Sequence, residues 1–503
     1  MNNILTSFTL IISFALTLSG QDDQLTFLDV FDVNSLNKVE IKFGDWDWRH
    51  SVYETNELVE AKVSINGGTE IPIKIGRKGN SSNFNTMGRD KIPFKIDGPR
   101  SFNFKLNNNY RDYSMGAREY IAYKMHREFT GIGCHIAPSE VYIDNEFYGI
   151  YLAIEDLNRK FYDDNIGGVV TRVKANPTNT EKFDGTLFSN LFWMGEEPSY
   201  YEGRYEVKRG AMSDLIDIID VINNSPEEAH KHIDIDQVCK FLAVENYLIN
   251  TGGIIGEVYS HNYEFVKRKN DGKWQLIPWD LNLCLGAWSK SSLSDEETPI
   301  ELLTQLPPTF GGGNNGLIAL IVNDYFFLYH YYYNQLLEKI DGKLLVSWAK
   351  EYLEIIKKST ETDDKLYDEN FVDKAYTENL TSIDGFVTAL IPTLEKRYAY
   401  LKGLEMDKKF SNKIRQVKQV ENTVYIIVES DITDESVMIE YLNNNNNLKK
   451  LRAHQSKEKG FYKCVLPQDA VSYYAYTYYK GIKYSLPVRG ILDLKIMNLN
   501  EGN

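Results

Sequence analysis

The sequence has little cysteine for its 503 residues, only four, and these lie far apart. No CxxC pair and no Cys/His cluster has the spacing of a standard zinc site. The four thiols allow two readings, one or two disulfides in an exported protein or four buried free cysteines, and spacing cannot choose between them. The residues are Cys134, Cys239, Cys284 and Cys464.

Positive charge is also scarce. Lys and Arg number 56 against 71 Asp and Glu, which gives a net charge of −15. A general nucleic-acid binder needs basic surface for the phosphate backbone, so the balance predicts no nucleic-acid partner. The glycine run at 311–313 lacks a following Lys-Ser/Thr, and we interpret it as a linker rather than a phosphate-binding loop.

Long hydrophobic runs are missing except at the start, where residues 4–18 are uncharged and mostly apolar. This run is shorter than the roughly 20 residues of a membrane span. Small residues and a polar stretch follow, so we predict a signal peptide over residues 1–20 with cleavage near Gly20. A secreted, periplasmic or cell-surface location follows from this prediction.

Hydrophobic periodicity predicts an α+β fold. Alternation with period two indicates strands, and i, i+3, i+4 spacing indicates helices. The predicted strands are 39–43, 59–65, 71–75, 92–96, 102–106, 141–143, 149–155, 261–266 and 274–278. The predicted helical segments are 111–129, 212–223, 235–249, 317–357 and 385–404. Residues 418–495 alternate throughout and predict a separate all-β module, a small sandwich.

One local arrangement has the composition of a phosphoryl-transfer site. Glu257 lies five residues before Asn262, and Asp280 follows the second strand of the next hairpin. Transfer from ATP needs a carboxylate that accepts the substrate proton, together with an Asn and an Asp that hold divalent metal. By itself this spacing is a weak signal, because it occurs by chance in a chain of this length.

The surrounding motifs resemble the CotH family of spore-coat-type atypical kinases, in the family's order over about residues 36–404. They include Asp45-Trp46-Asp47, the turn Lys78-Gly79-Asn80-Ser81-Ser82, the strand Lys91–Ile96, the block 103–107 with Asp112, Ser114 and Arg118, the hairpin 141–155, Ile233–Asp236, His261-Asn262-Tyr263 and Ile277-Pro278-Trp279-Asp280.

This resemblance implies a divergent kinase-like fold over residues 21–404 and the use of ATP with Mg²⁺ or Mn²⁺. The implied reaction is transfer of the γ-phosphate to Ser or Thr of a secreted or surface protein. The implied functional carboxylates are Glu257 and Asp280, with Asn262 as a further metal ligand and Lys91 at the phosphates. The other residues predicted to contact or orient the nucleotide are Glu155, Lys78, Ser81 and Arg118.

Departures from the family pattern support a second hypothesis, a catalytically impaired surface adhesin on the same scaffold. Relatives usually carry Asp at 257, a second acid at 282 where this chain has Asn282, and Arg at 76 where it has Gly76. A third reading is a carbohydrate-associated structural protein that uses the C-terminal module. In the kinase hypothesis that module would serve docking or surface attachment.

Structural roles stay open for several of these residues as well. Lys91 could be an ordinary strand lysine, Glu155 a partner in a buried ion pair, and Asp280 the cap of a turn or helix.

Overall fold

The computed structural model describes residues 25–44, 47–54, 57–79, 91–99, 102–108, 112–175, 189–250, 252–255, 260–287, 315–363, 365, 371–382, 385–404, 412–429, 432, 437–479, 482–486, 488 and 492. The predicted signal peptide, Ser81 and Glu257 lie outside these ranges.

The N-terminal strands close into a barrel in the order β1-β2-β3-β4-β5-β7-β6. Strands β1 and β6 pair in parallel and complete the ring, while the other pairs are antiparallel. Alternate side chains such as Val39, Ile41, Phe94 and Phe104 fill an apolar core. The strands are β1 (Asn37–Phe43), β2 (Val59–Ile65), β3 (Ile71–Arg77), β4 (Phe94–Asp97), β5 (Asn103–Asn107), β6 (Ile136–Ile143) and β7 (Glu146–Glu155).

A larger core follows, built from helices and a second sheet in the order β11-β10-β8-β9. The strands are β8 (Val169–Ala175), β9 (Tyr205–Arg209), β10 (Tyr263–Arg268) and β11 (Trp274–Pro278), and a small hairpin joins β12 (Leu380–Ser382) to β13 (Gly385–Val387). The helices are α1 (Ala117–Thr130), α2 (Arg159–Ile166), α3 (Met212–Asn224), α4 (Ala229–His232), α5 (Ile235–Leu248), α6 (Gly316–Asp324), α7 (Phe326–Lys339), α8 (Gly342–Thr360), α9 (Phe371–Thr377) and α10 (Leu390–Gly403). Short 3₁₀ turns span Phe27–Asp29, Pro198–Tyr200 and Pro226–Glu228, and a π-helical turn spans His50–Glu54.

Two four-stranded antiparallel sheets form the C-terminal part, in the orders β14-β15-β19-β18 and β17-β16-β20-β21. Side chains of both sheets, among them Val424, Ile426, Ile439 and Ala475, share one apolar cluster. The Phe327 ring on α7 lies 5.0 Å from the Tyr484 ring on β21 and connects this part to the helices. The strands are β14 (Ile414–Val420), β15 (Thr423–Val428), β16 (Met438–Asn443), β17 (Leu448–Arg452), β18 (His454–Gln455), β19 (Phe461–Val465), β20 (Ala470–Tyr479) and β21 (Ile482–Leu486).

The mixture of helices and strands confirms the α+β prediction. The helix predicted from residue 111 begins at Ala117, because Gly116 before it has a left-handed φ of 93° that a helix cannot include. All four cysteines are free and buried, which is the second of the two readings of the sequence. Among the described residues, no helix combines the length and the apolar character needed to cross a membrane.

Candidate functional site

The open end of the β10–β11 hairpin carries two predicted metal ligands. Tyr263 pairs with Pro278, so Asn262 and Asp280 lie just beyond the last paired residues, at the same end. Both residues have a left-handed backbone, with φ of 54° and 53°. Asn and Asp tolerate this conformation better than other non-glycine residues, which favours these residue types here. The backbone N–H of Asp280 donates to the Tyr123 hydroxyl on α1 at 3.1 Å and fixes the turn.

A second carboxylate, Glu119 on α1, lies beside Asp280. Glu119 is 1% exposed, and its Oε2 accepts a 2.6 Å hydrogen bond from Asn107 Nδ2. Its Oε1 is buried and has no hydrogen-bond partner among the described residues. Burial, reinforced by the negative charge of Asp280, raises the pKa of Glu119 to about 8, and the charge of Lys78 opposes this rise. At neutral pH Glu119 is therefore largely protonated near the Asp280 carboxylate, and its Oε1 is a buried polar atom without a described hydrogen-bond partner.

Lysines surround these acids. Lys105 on β5 donates to Asp156 Oδ1 at 2.5 Å, and its ammonium lies 3.7 Å from the centre of the Trp279 ring. Burial lowers the pKa of Lys105, and the nearby charges of Lys78 and Lys174 lower it further, against the opposing charge of Asp156. The Lys105 ammonium is thus within electrostatic reach of two further lysines.

Lys174 approaches the same place from β8. Its ammonium is 5.9 Å from the centre of the Trp279 ring, so Trp279 contacts two lysines. Burial lowers the pKa of Lys174, and the negative charge of Asp280 opposes that effect. We call the set of Lys78, Lys105, Glu119, Lys174 and Asp280 the acid–lysine cluster. It lies where the end of the barrel, α1 and the β10–β11 hairpin meet, and its positive and negative groups suit an anionic ligand that carries a divalent cation.

Lys91, the residue predicted to contact phosphates, forms a buried ion pair with Asp363. Its Nζ is 2.8 Å from Asp363 Oδ2, with side-chain exposures of 7% and 0% for the two residues. Asp363 also accepts a 2.8 Å hydrogen bond from the backbone N–H of Ile150. A Cβ at Gly149 would approach the Asp363 carboxylate to 2.9 Å, so the glycine leaves room for this pair. The pair joins the barrel to the segment after α8, which is a structural role.

Glu155 and Arg118 also have structural partners. Glu155 Oε2 accepts from the backbone N–H of His135 at 3.0 Å and lies 2.9 Å from His135 Nδ1, so this oxygen is held by His135. Arg118 is fully buried; its Nε donates to the Leu285 carbonyl at 3.2 Å and its Nη1 to Asp112 at 3.0 Å. A further bond goes from its Nη2 to the Thr388 carbonyl. All three nitrogens of the guanidinium therefore hold protein groups together, which leaves Arg118 no exposed edge for a nucleotide.

Of the residues predicted for the site, Asn262 and Asp280 share a hairpin end, and the charge of Lys78 acts on Glu119. Sequence reasoning missed Glu119, Lys105 and Lys174. Lys105 lies inside the 103–107 block and Glu119 directly follows Arg118, whereas no motif pointed to Lys174.

The comparisons with known proteins concern the segment that holds this cluster. Residues 77–401 match the CotH family, described as CotH kinase protein. The inner spore coat protein H of Bacillus subtilis (strain 168) is 25% identical over 265 residues, which cover 49% of this chain and 66% of that protein. The match thus spans slightly less than two thirds of the relative's length.

Proposed function

The chain belongs to the CotH kinase family, and we propose that it is an exported ATP-dependent kinase that phosphorylates Ser or Thr of a secreted or surface protein. The observation that carries the proposal is the acid–lysine cluster, in which Glu119 and Asp280 lie beside three lysines within the segment that matches the family. The export part rests on the apolar run at residues 4–18.

The lysines of the cluster would bind the phosphates of ATP. A triphosphate carries several negative charges, and partly buried ammonium groups attract it more strongly than exposed ones because the local dielectric is lower. The tendency of Lys105 and Lys174 to lose their protons would diminish once phosphate approached, since the anion offsets their desolvation. Trp279, which contacts both lysines, would keep their ammonium groups on one side of the site.

The carboxylates fit a divalent metal. Mg²⁺ usually binds one or two carboxylates and takes its remaining ligands from water and phosphate. Asp280 has no hydrogen-bond or ion-pair partner on its carboxylate among the described residues, and Glu119 Oε1 is unpartnered and buried. Among those residues no group of three or more His, Cys, Asp or Glu is placed to hold a metal. Bound there, Mg²⁺ or Mn²⁺ would neutralise charge on the transferring phosphoryl group.

The remaining roles follow the family pattern. Asn262 would supply an amide oxygen at the hairpin end that carries Asp280. Glu257, in the segment between α5 and β10, would accept the proton of the substrate hydroxyl or orient that hydroxyl. The barrel and the helical core would form a divergent kinase-like fold, and residues 418–495 a β-sandwich used for docking.

Phosphate transfer from labelled ATP tests the proposal directly. The protein is incubated with Mn²⁺, ATP and a casein-like acceptor, and Asp280→Ala is compared with the wild type. Asp217→Ala on the exposed side of α3 is a matched control, because it removes an equal charge away from the cluster. We expect label transfer by the wild type and by Asp217→Ala, and none by Asp280→Ala.

Two results would contradict the kinase proposal. If the wild type binds ATP but transfers no phosphate, the result favours the adhesin hypothesis, which the Glu257 and Asn282 departures support. Unchanged transfer by Asp280→Ala would remove the acid–lysine cluster from the mechanism.

A further inference from the structure

The sheet β14-β15-β19-β18 turns one face towards solvent, and that face carries aromatic and aliphatic side chains. Strand pairing places Lys418 opposite Tyr425 and Tyr425 opposite Lys463, so the three form one row across the sheet. Phe461, Val465 and Val420 occupy the neighbouring rows on the same face, with exposures of 41%, 66% and 49%. Tyr425 itself is 47% exposed. We call these six residues the outer face.

The inner residues of the same strands are buried, which shows that the exposure is not a consequence of loose packing. Val424 and Ile426 alternate with Tyr425 and contribute to the apolar cluster between the two sheets. The outer face therefore has no role in holding the sheets together. An exposed group of apolar side chains in such a position is typical of an interaction surface.

The charge of the outer face differs from that of the molecule. Neither Lys418 nor Lys463 forms an ion pair with an acid among the described residues, and both side chains are exposed. Glu429, an acid at the end of β15, pairs instead with Lys413 at 2.6 Å. Residues 414–486 contain 10 Lys and Arg against 8 Asp and Glu, whereas the whole chain has a net charge of −15. Positive charge is thus concentrated in the C-terminal part.

We propose that the outer face binds a linear acidic polysaccharide, a chain of sugar rings that carry carboxylates. Tyr425 lies between the two lysines, and adjacent strands are about 4.8 Å apart, so the lysine backbones are about 10 Å from each other. A sugar ring packs its apolar side on an exposed aromatic ring, while its flanking carboxylates reach the two ammonium groups. This site is separate from the acid–lysine cluster and does not depend on phosphate transfer.

The combination of groups favours this ligand over other anions. A folded acidic protein or a polyglutamate chain would use the two lysines but would not need an aromatic ring between them. A neutral polysaccharide would use Tyr425 but leave both ammonium groups without a partner. An acidic polysaccharide uses all three groups of the row at once.

The full-length protein can be tested by its binding to polygalacturonate, with dextran as the neutral polymer and polyglutamate as the acidic polymer without sugar rings. We expect the wild type to bind polygalacturonate more tightly than either, and binding to weaken as salt rises. Lys418→Gln/Lys463→Gln should weaken it by about tenfold or more, and Tyr425→Ser by about fivefold. Lys374→Gln/Lys449→Gln, which removes two exposed lysines outside the outer face, should bind as the wild type does.

Three outcomes would overturn the proposal. They are equal binding by Lys418→Gln/Lys463→Gln and the wild type, equal affinity of the wild type for polygalacturonate and polyglutamate, or a dimer that Tyr425→Ser dissociates without any polysaccharide binding. Phosphate transfer by the same variants is measured in parallel and should not change. A failure of the outer-face proposal therefore leaves the proposed kinase activity intact, and the reverse also holds.

Discussion

Glu119 keeps its proton to a higher pH than an exposed glutamate does. Burial and the adjacent charge of Asp280 raise its pKa to about 8. Its pKa in the unfolded chain is near 4.5, so folding takes up a proton between these two values. The free energy of unfolding must then fall as the pH rises from about 4.5 to about 8, because the folded state binds more protons in that range.

Glu119→Gln should remove this dependence. The amide keeps an oxygen that accepts from Asn107 Nδ2 but carries no charge at any pH. Without ligand, we expect the melting temperature of the variant to fall less than that of the wild type between about pH 5 and about pH 9. Thermal unfolding followed by circular dichroism measures it. If the melting temperatures of the two proteins change equally with pH, Glu119 does not titrate in this range.

Substitution of Lys91 by Met should mainly lower stability, whereas the same substitution of Lys105 should mainly lower the affinity for ATP. Lys91→Met leaves the Asp363 carboxylate buried without its ammonium partner, and loss of one member of a buried pair costs about 3 kcal/mol or more. The affinity for ATP should change little. Lys105→Met removes a cation of the acid–lysine cluster and should weaken ATP binding by about tenfold, with a smaller loss of stability because Asp156 is 23% exposed.

Urea unfolding and isothermal titration with ATP and Mn²⁺ separate the two effects. If Lys91→Met weakens ATP binding and leaves stability unchanged, Lys91 contacts the phosphates, as the family resemblance implied. Loss of stability alone in Lys105→Met would instead give Lys105 a structural role.

These residues show which part of a site the sequence can predict. Asn262 and Asp280 were placed together because a hairpin is local, and its register follows from the alternation of the two strands. Glu119, Lys105 and Lys174 meet only because α1, β5 and β8 pack together, and no local pattern contains that information. The partner of Lys91 was not predicted for the same reason, since Asp363 follows α8, far away in the chain.

The element that organises the candidate site is the end of the β10–β11 hairpin, where Asn262 has a φ of 54°. Glycine adopts this conformation without the steric cost that an L-residue incurs, about 1 kcal/mol. Asn262→Gly should therefore leave the free energy of unfolding unchanged or slightly higher, although it removes the amide proposed to bind metal.

We expect Asn262→Gly to bind ATP with Mn²⁺ several-fold more weakly than the wild type, and to bind ATP without metal equally well. Asn262→Ala serves as the comparison, because it also lacks the amide but retains the strained backbone. The two variants should share the metal-dependent defect and differ in stability. Full metal-dependent affinity in both would exclude Asn262 as a ligand.

Periodicity was a good predictor of elements with a clear apolar side, such as β2, β3, β10 and β11. It did not identify β8 or β9, the strands that pair with β10 to extend the second sheet. β8 has the sequence Val-Val-Thr-Arg-Val-Lys-Ala, whose buried positions alternate regularly with exposed ones, but Val170 is exposed and Thr171 is buried, so the apolar residues themselves do not follow that alternation. Pairing with distant strands, rather than local preference, defines such a strand.

At the scale of the whole molecule, the net charge of −15 conceals two local concentrations of lysine. One is the acid–lysine cluster, and the other is the outer face of the C-terminal sheets. Overall acidity argues against a nucleic-acid partner, yet it does not prevent small basic sites from binding a nucleotide or an acidic polymer. Local arrangement rather than total charge therefore decides which anions the protein can bind.

The C-terminal sheets have their own apolar cluster and contact the helical core through Phe327 and Tyr484, whose ring centres are 5.0 Å apart. Phe327 is 8% exposed, and truncating a buried phenylalanine to alanine costs about 3 kcal/mol or more. The lost contact lies between α7 and β21. Phe327→Ala should therefore weaken the coupling between the helical core and the C-terminal sheets more than it destabilises either of them.

Calorimetry should then show a larger temperature difference between the two unfolding transitions in Phe327→Ala than in the wild type. Amide hydrogen exchange should accelerate first in β21. Phe461→Ala is the control, since this ring is 41% exposed and lies on β19, in the sheet that does not contain β21. Its removal should leave both transitions in place. If Phe327→Ala lowers the two transitions equally, the parts unfold as one unit and the ring contact is not what joins them.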